Sequence, residues 1–207
     1  MRVSDHASDV TALCEVCRRF GDRGWCRATS GNFSTRIDSS HCLITQSGRD
    51  KSRLGAGDLM LCSLDGAAVD DTCQPSAETP LHCRLYELEP SIGAVLHTHS
   101  VAATVLSRNS GRELCLRGFE MQKALAGVTT HEEEISVKIF ANDQDMQALA
   151  GRLGEAWRAG ELNVPGFLVA GHGLYAWGRT LDEAVRHVEG FEFLFECIRQ
   201  ESLARLS

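Results

Sequence analysis

The chain has 207 residues, 43% of them apolar and 24% charged, which fits one globular domain over residues 1–207 with a sizeable core. A net charge of −7 disfavours nucleic acid and anionic membranes as partners, while leaving room for an anionic small molecule at a locally positive site. No apolar run is long enough to span a bilayer, and MRVSDHASDV is polar where an export signal needs an apolar core, so a cytoplasmic location is expected.

In chain order, Val10, Leu13, Cys17 and Phe20 recur at helical spacing and predict a helix over 8–20, ended by the glycines of GDRGW. NFSTRID and HCLITQSG read as two short strands. AGDLMLCSLDGAAV reads as another strand pair, with Asp65-Gly66 as its turn. Leu81, Leu85 and Leu88 mark a helix over 78–88. IGAVLHTHS reads as a short buried strand and VAATVLSR as the helix after it. A short helix over FEMQKALA and a strand over ISVKIF follow. Asn142 is placed to cap a helix whose apolar positions are Met146, Leu149, Leu153 and Trp157. GFLVAGHGLYAWG predicts two strands joined at Gly-His-Gly. The last helix opens on Thr180-x-x-Glu183, the pattern of a capping box. Helices interleaved with turn-linked strands favour an α/β fold with a central, largely antiparallel sheet covered by helices on both sides.

The nine cysteines are expected as reduced thiols in an unexported chain. Cys14 and Cys17 form a C-x-x-C with no second pair at zinc-ribbon spacing, so they read as packing. No glycine-rich phosphate loop of the P-loop or dinucleotide type is present.

In a strand, residues two apart face one way, so His97 and His99 aim together while Thr98 points away. Two imidazoles at a strand end form half of a metal site. His172, set between two glycines, is the best third donor. Three histidines leave an open position on Zn²⁺ or a similar divalent ion, as catalysis requires. His6, His41, His82, His131 and His187 lack such settings and read as ordinary, and HEEE at 131–134 reads as a solvated charge run.

TSGN at 29–32, TQSGRDK at 45–51 and PSAE at 75–78 are rich in hydroxyls and small residues. Each alone is a turn; together beside a metal they can converge on a phosphate, with Lys51 or Arg49 adding charge. Two carboxylates stand out. Glu78 follows Ser76 at a helix start, where an acid also offsets the helix dipole. Glu120, between Phe119 and Met121, is either a proton shuttle with a raised pKa or a solvent-facing helix residue.

GWCRATSGNFSTR, ITQSGRDKSRL, PSAETPLH, GAVLHTHS and AGHGLYAWG occur in the order found in the class II aldolase/adducin family, which the chain resembles over nearly its whole length. Within that family, GRDKSRL, FEMQKALAG, IFANDQDM and HGLYAWG most resemble the methylthioribulose-1-phosphate dehydratases of methionine salvage. The resemblance implies a three-layer α/β/α fold and one zinc per subunit on His97, His99 and His172. It implies a phosphate pocket of Gly31, Asn32, Ser47, Gly48 and Ser76; Lys51 and Lys123 complete the candidate substrate-binding set. Glu120 matches the acid/base of the dehydratases and Glu78 that of the related aldolases, with Glu120 favoured. A homotetramer with active sites near subunit interfaces is also implied, as is a phosphorylated ketose as substrate. Ser52 stands where the pattern has glycine, a departure that touches no proposed ligand. A class II aldolase or pentulose-phosphate 4-epimerase stays open as an alternative, and so does a non-catalytic adducin-like interaction module.

Overall fold

The computed structural model describes residues 1–205. Among them, one eight-stranded sheet is built from β1 Asn32–Arg36, β2 His41–Thr45, β3 Leu59–Ser63, β4 Ala94–Thr98, β5 Glu113–Leu116, β6 Ile135–Phe140, β7 Gly166–Val169 and β8 Gly173–Gly178. Its order is β3-β2-β1-β4-β8-β7-β6-β5. Every pairing is antiparallel except β6 with β7.

Five α-helices cover the sheet: α1 Ala7–Asp22, α2 Thr79–Leu88, α3 Val101–Asn109, α4 Met146–Arg158 and α5 Leu181–Ala204. Strand residues alternate between two cores. Leu96 and Ala176 pack with Leu13, Phe20, Leu106 and Phe191, from α1, α3 and α5. Val95, Phe167 and Tyr175 pack with Leu81, Leu85, Leu149 and Leu153, from α2 and α4. The expected α/β/α layering follows from this alternation.

The predicted helix and strand positions hold, with differences that have physical reasons. Residues after Asp65-Gly66 make only a bridge, Cys62 with Ala68, and form no second strand; Ala68 packs on the core but Val69 beyond it is exposed, so the apolar hold on the return is short. The cap of α4 is Asp145, whose carboxylate accepts from the Gln147 and Ala148 amides, and Asn142 does not serve. At α5, Thr180 accepts from the Glu183 amide, but the Glu183 carboxylate reaches back to the Arg179 amide, one residue before the cap. The FEMQKALA helix is a 3₁₀ turn, Glu120–Ala124. Strand β5 carries no residue pattern that announced it; it alternates exposed and buried at the sheet edge. Cys14 and Cys17 are buried in the α1 core, as the packing reading requires. No helix among the described residues is long and apolar enough to cross a membrane.

Candidate metal centre and phosphate cavity

Strand β4 sits mid-sheet, between β1 and β8. Register places Asn32 opposite His97, His97 opposite Tyr175, and Tyr175 opposite Phe167. Directly paired residues share a face, so these four form one row facing α2 and α4. The His97 ring stacks on Tyr175 at 3.8 Å between centroids, and Tyr175 stacks on Phe167 at 5.0 Å. Thr98 faces the other way and donates to Glu192 of α5 at 2.7 Å, which bears out the alternation.

His99, one residue beyond β4, and His172, in the turn between β7 and β8, close around His97. Ring centroids are 4.5 Å apart for His97–His99, 5.0 Å for His97–His172 and 4.6 Å for His99–His172. The turn fits because Gly173 lies against β4: a β-carbon there would sit 2.0 Å from the Thr98 carbonyl oxygen. Glu78, just before α2, completes the group. Its Oε1 is 2.8 Å from His172 Nε2 and 3.4 Å from His97 Nε2. One donor atom from each of the four lies within 4.8 Å of the others.

The donor set fits a divalent cation. His97 Nδ1 donates to the Leu174 carbonyl at 2.8 Å, which leaves the Nε2 lone pair free. That Nε2, and the His99 Nε2, are buried without a hydrogen-bond partner. An orphaned buried lone pair is costly unless a Lewis acid takes it. Burial lowers the His99 pKa to about 3, with His97 and His172 acting in the same direction, so its ring stays neutral and able to ligate. Burial would raise the Glu78 pKa, but His97 and His172 beside it hold the carboxyl well below the usual carboxylate range.

A cavity of about 240 Å³ opens beside this group. Its wall contains Gly31, Asn32, Ser47, Gly48, Lys51 and Ser76, together with Glu78 and His99. Three sequence segments that each read as turns therefore meet at one place. Gly31 has φ +79° and a β-carbon there would lie 2.7 Å from the His97 carbonyl, so the loop reaches β4 only as glycine. Lys51 is buried and its ammonium donates to the Thr29 carbonyl at 3.0 Å and the Arg49 carbonyl at 2.7 Å, tying two loops. Burial lowers its pKa. Ser30 was missed as an individual candidate; its hydroxyl is buried, unpartnered and in the cavity wall.

Arg49 lies outside the wall and faces Asp58 at 3.4 Å. Glu120 and Lys123 also lie outside it. The Glu120 carboxylate is exposed on the 3₁₀ turn, 2.6 Å from Lys123 Nζ and 3.2 Å from His131 Nδ1. The hydrogen bond from Lys123 lowers its pKa, so the apolar neighbours do not raise it in the single chain. Two histidines that read as ordinary are buried and fully engaged: His187 bridges the Trp177 carbonyl and the Ala126 amide, and His82 sits between Asn32 and Ser34.

Residues 11–198 match the model of the class II aldolase and adducin N-terminal domain. A methylthioribulose-1-phosphate dehydratase from Pectobacterium carotovorum is 55% identical over 195 residues, covering 94% of this chain and 95% of the relative. The dehydratase of the same name from Pseudomonas aeruginosa is 51% identical, over 98% of this chain and 100% of its own length. Among solved structures, L-fuculose-1-phosphate aldolase from Thermus thermophilus superposes with a TM-score of 0.76 at 27% identity, covering 97% of each chain. The chain belongs to the class II aldolase/adducin family.

Proposed function

We propose that this chain dehydrates 5-methylthioribulose 1-phosphate to 2,3-diketo-5-methylthiopentyl 1-phosphate, a step of methionine salvage. The observation that carries the reading is that Glu78 and His99 share one cavity wall with Ser47, Gly48, Ser76 and Asn32. A metal group and a phosphate cradle so joined suit a phosphorylated ketose. Dehydratase-named relatives of 51–55% identity, matched over nearly their full length, favour dehydration over the other chemistries of the family.

His97, His99 and His172 would hold the ion, and imidazole donors beside a carboxylate suit zinc. When bound, it supplies Lewis-acid polarisation of the substrate's oxygen functions, worth several kcal/mol at a well-placed site. The cavity residues grip the phosphate and so fix which carbons face the histidines. A carboxylate takes the C3 proton. An acid then protonates the C4 hydroxyl, which leaves as water, and the resulting enol relaxes to the 2,3-diketone. Glu120 is assigned this proton traffic, acting from a surface that subunit association covers. Glu78 stays beside the histidines.

The assembly we assign is a homotetramer. Val101, Met121 and Phe193 are exposed around a groove of about 640 Å³ between the segment after α1, α3, α5 and the Glu120 turn, a surface suited to a second subunit. Nine free cysteines fit a reducing cytoplasm.

The test is to incubate the metal-loaded protein with methylthioribulose 1-phosphate and, separately, with fuculose 1-phosphate. Diketone from the first is expected. Triose phosphate from the second, with no diketone from the first, would replace this reading with an aldolase.

A further inference from the structure

Two residue stripes face each other across the gap between β1 and α2. On β1, Asn32 and Ser34 are two apart and point to the α2 side. On the helix and its first turn, Glu78, His82 and Tyr86 are spaced by four and share one stripe. Their side chains interlock in alternation. Glu78 Oε2 meets Asn32 Nδ2. Asn32 Oδ1 lies 2.6 Å from His82 Nε2, His82 Nδ1 lies 2.7 Å from Ser34 Oγ, and Ser34 Oγ lies 2.8 Å from the Tyr86 hydroxyl. His82 and Ser34 have no exposed surface and Tyr86 almost none, so water has no place in the chain.

Chemistry gives this chain one direction. An ionised carboxylate only accepts, so the Asn32 end that meets Glu78 is its NH₂. The Asn32 oxygen then faces His82 and needs a donor, which requires the proton of His82 to sit on Nε2. Burial lowers the His82 pKa to about 3, with His97 acting the same way, so the ring is neutral and Nδ1 is bare. Nδ1 therefore accepts from the Ser34 hydroxyl, and Ser34 accepts from Tyr86. Reversing any link would leave two donors or two acceptors facing each other in a buried place, at the full cost of an unmade hydrogen bond.

We propose that His82 is a positioning residue of the active site: its Nε2–H fixes the Asn32 amide, and through it the Glu78 carboxylate beside His97 and His172. Asn32 also donates to Ser76 Oγ at 3.3 Å, so the same amide orientation serves the cavity wall. Glu78 and Ser76 engage the NH₂ end of the amide, and the His82 Nε2–H is the side-chain donor that holds its oxygen end. The functional part of the proposal rests on the dehydratase reading; the proton's place on the ring does not.

The experiment has two arms. ¹⁵N NMR of histidine-labelled protein, with and without metal, reads the tautomer of His82, its signal assigned by loss in His82→Gln. The Nε2–H form is expected, and a dominant Nδ1–H form overturns the proposal whatever the enzyme does. In the second arm, His82→Leu removes the donor, while His82→Gln keeps an N–H for Asn32. Removing a partner that orients a metal-centre group typically costs about 10–100-fold in activity or metal affinity. His82→Leu is expected to lose that much kcat per metal-loaded, folded site, with the KM changing less, and His82→Gln to recover part of it. Wild-type kcat in His82→Leu overturns the proposal. If His82→Leu does not fold, His82→Met, which also lacks the donor, takes its place under the same criterion: lost kcat supports the proposal and wild-type kcat overturns it. A wild-type enzyme that makes no diketone, yet shows the Nε2–H form, refutes the dehydratase reading and leaves the positioning chain standing.

Discussion

Glu192 offers a test of the layer behind the metal strand. It is buried in α5, takes the Thr98 hydroxyl on Oε1, and leaves Oε2 buried without a partner. Burial raises its pKa to about 7 from an ordinary 4.5; Ser100 and Thr98 pull it down, and Glu196 pushes it up. The native state therefore holds a proton that the unfolded chain has released between pH 4.5 and 7. Stability from this group is fully present below pH 4.5 and is lost as pH rises through 7. A gap of about 2.5 in pKa corresponds to roughly 3 kcal/mol, taken as an upper figure. Glu192→Gln keeps the shape and cannot ionise. Its stability relative to wild type is expected to rise from pH 5 to pH 8 and then level off. For a chain of this size, 3 kcal/mol is about 6–12 °C in Tm. Melting both proteins at half-unit pH steps reads the difference directly. Curves that stay parallel from pH 5 to 8 would refute a proton held on Glu192.

Gly173→Ala forces a β-carbon to within 2.0 Å of the Thr98 oxygen, so β8 must shift against β4; overpacking of this kind costs about 1–3 kcal/mol. Calorimetric metal titration of the folded variant should show weakened binding, because His97 and His172 lie on the two displaced segments; unchanged affinity would contradict the geometry. Glu120→Gln should keep fold and metal and lose turnover by at least about 100-fold, the scale of general acid–base catalysis. Near-normal steady-state rates in Glu120→Gln would move the proton traffic to Glu78, which Glu78→Gln would then confirm by losing them.

Much of the site could be read from local rules. His97 and His99 share a face because strand geometry leaves no alternative, and a glycine-bracketed His172 had few reasons to be there besides close approach. Ser47, Gly48, Ser76 and Asn32 lie in three segments that each read as turn chemistry, and their convergence depends on β1 pairing with both β2 and β4 and on the Ser47 amide bonding the Gln74 carbonyl. His82 carries no local signal on its own helix. Its role appears only when the helix stripe Glu78-His82-Tyr86 is set against the strand stripe Asn32-Ser34, which needs tertiary packing. The cap of α4 went to Asp145 because it stands immediately before the first helical residue and reaches two free amides. Glu120 was legible as a motif, yet its apolar sequence neighbours do not bury it: Phe119 turns in against the core and Met121 is exposed, so neither covers the carboxylate.

In the proposed function, one metal ion on His97, His99 and His172 works with the adjoining phosphate cavity to dehydrate a ketose phosphate. Stripping the purified protein with a chelator and titrating zinc back, while following diketone formation from methylthioribulose 1-phosphate, tests it most directly. Activity is expected to disappear with the metal and return linearly until one ion per chain is bound, and the His97→Ala protein is expected neither to bind the ion nor to recover. Full activity in the stripped protein, or restoration in His97→Ala, would contradict it.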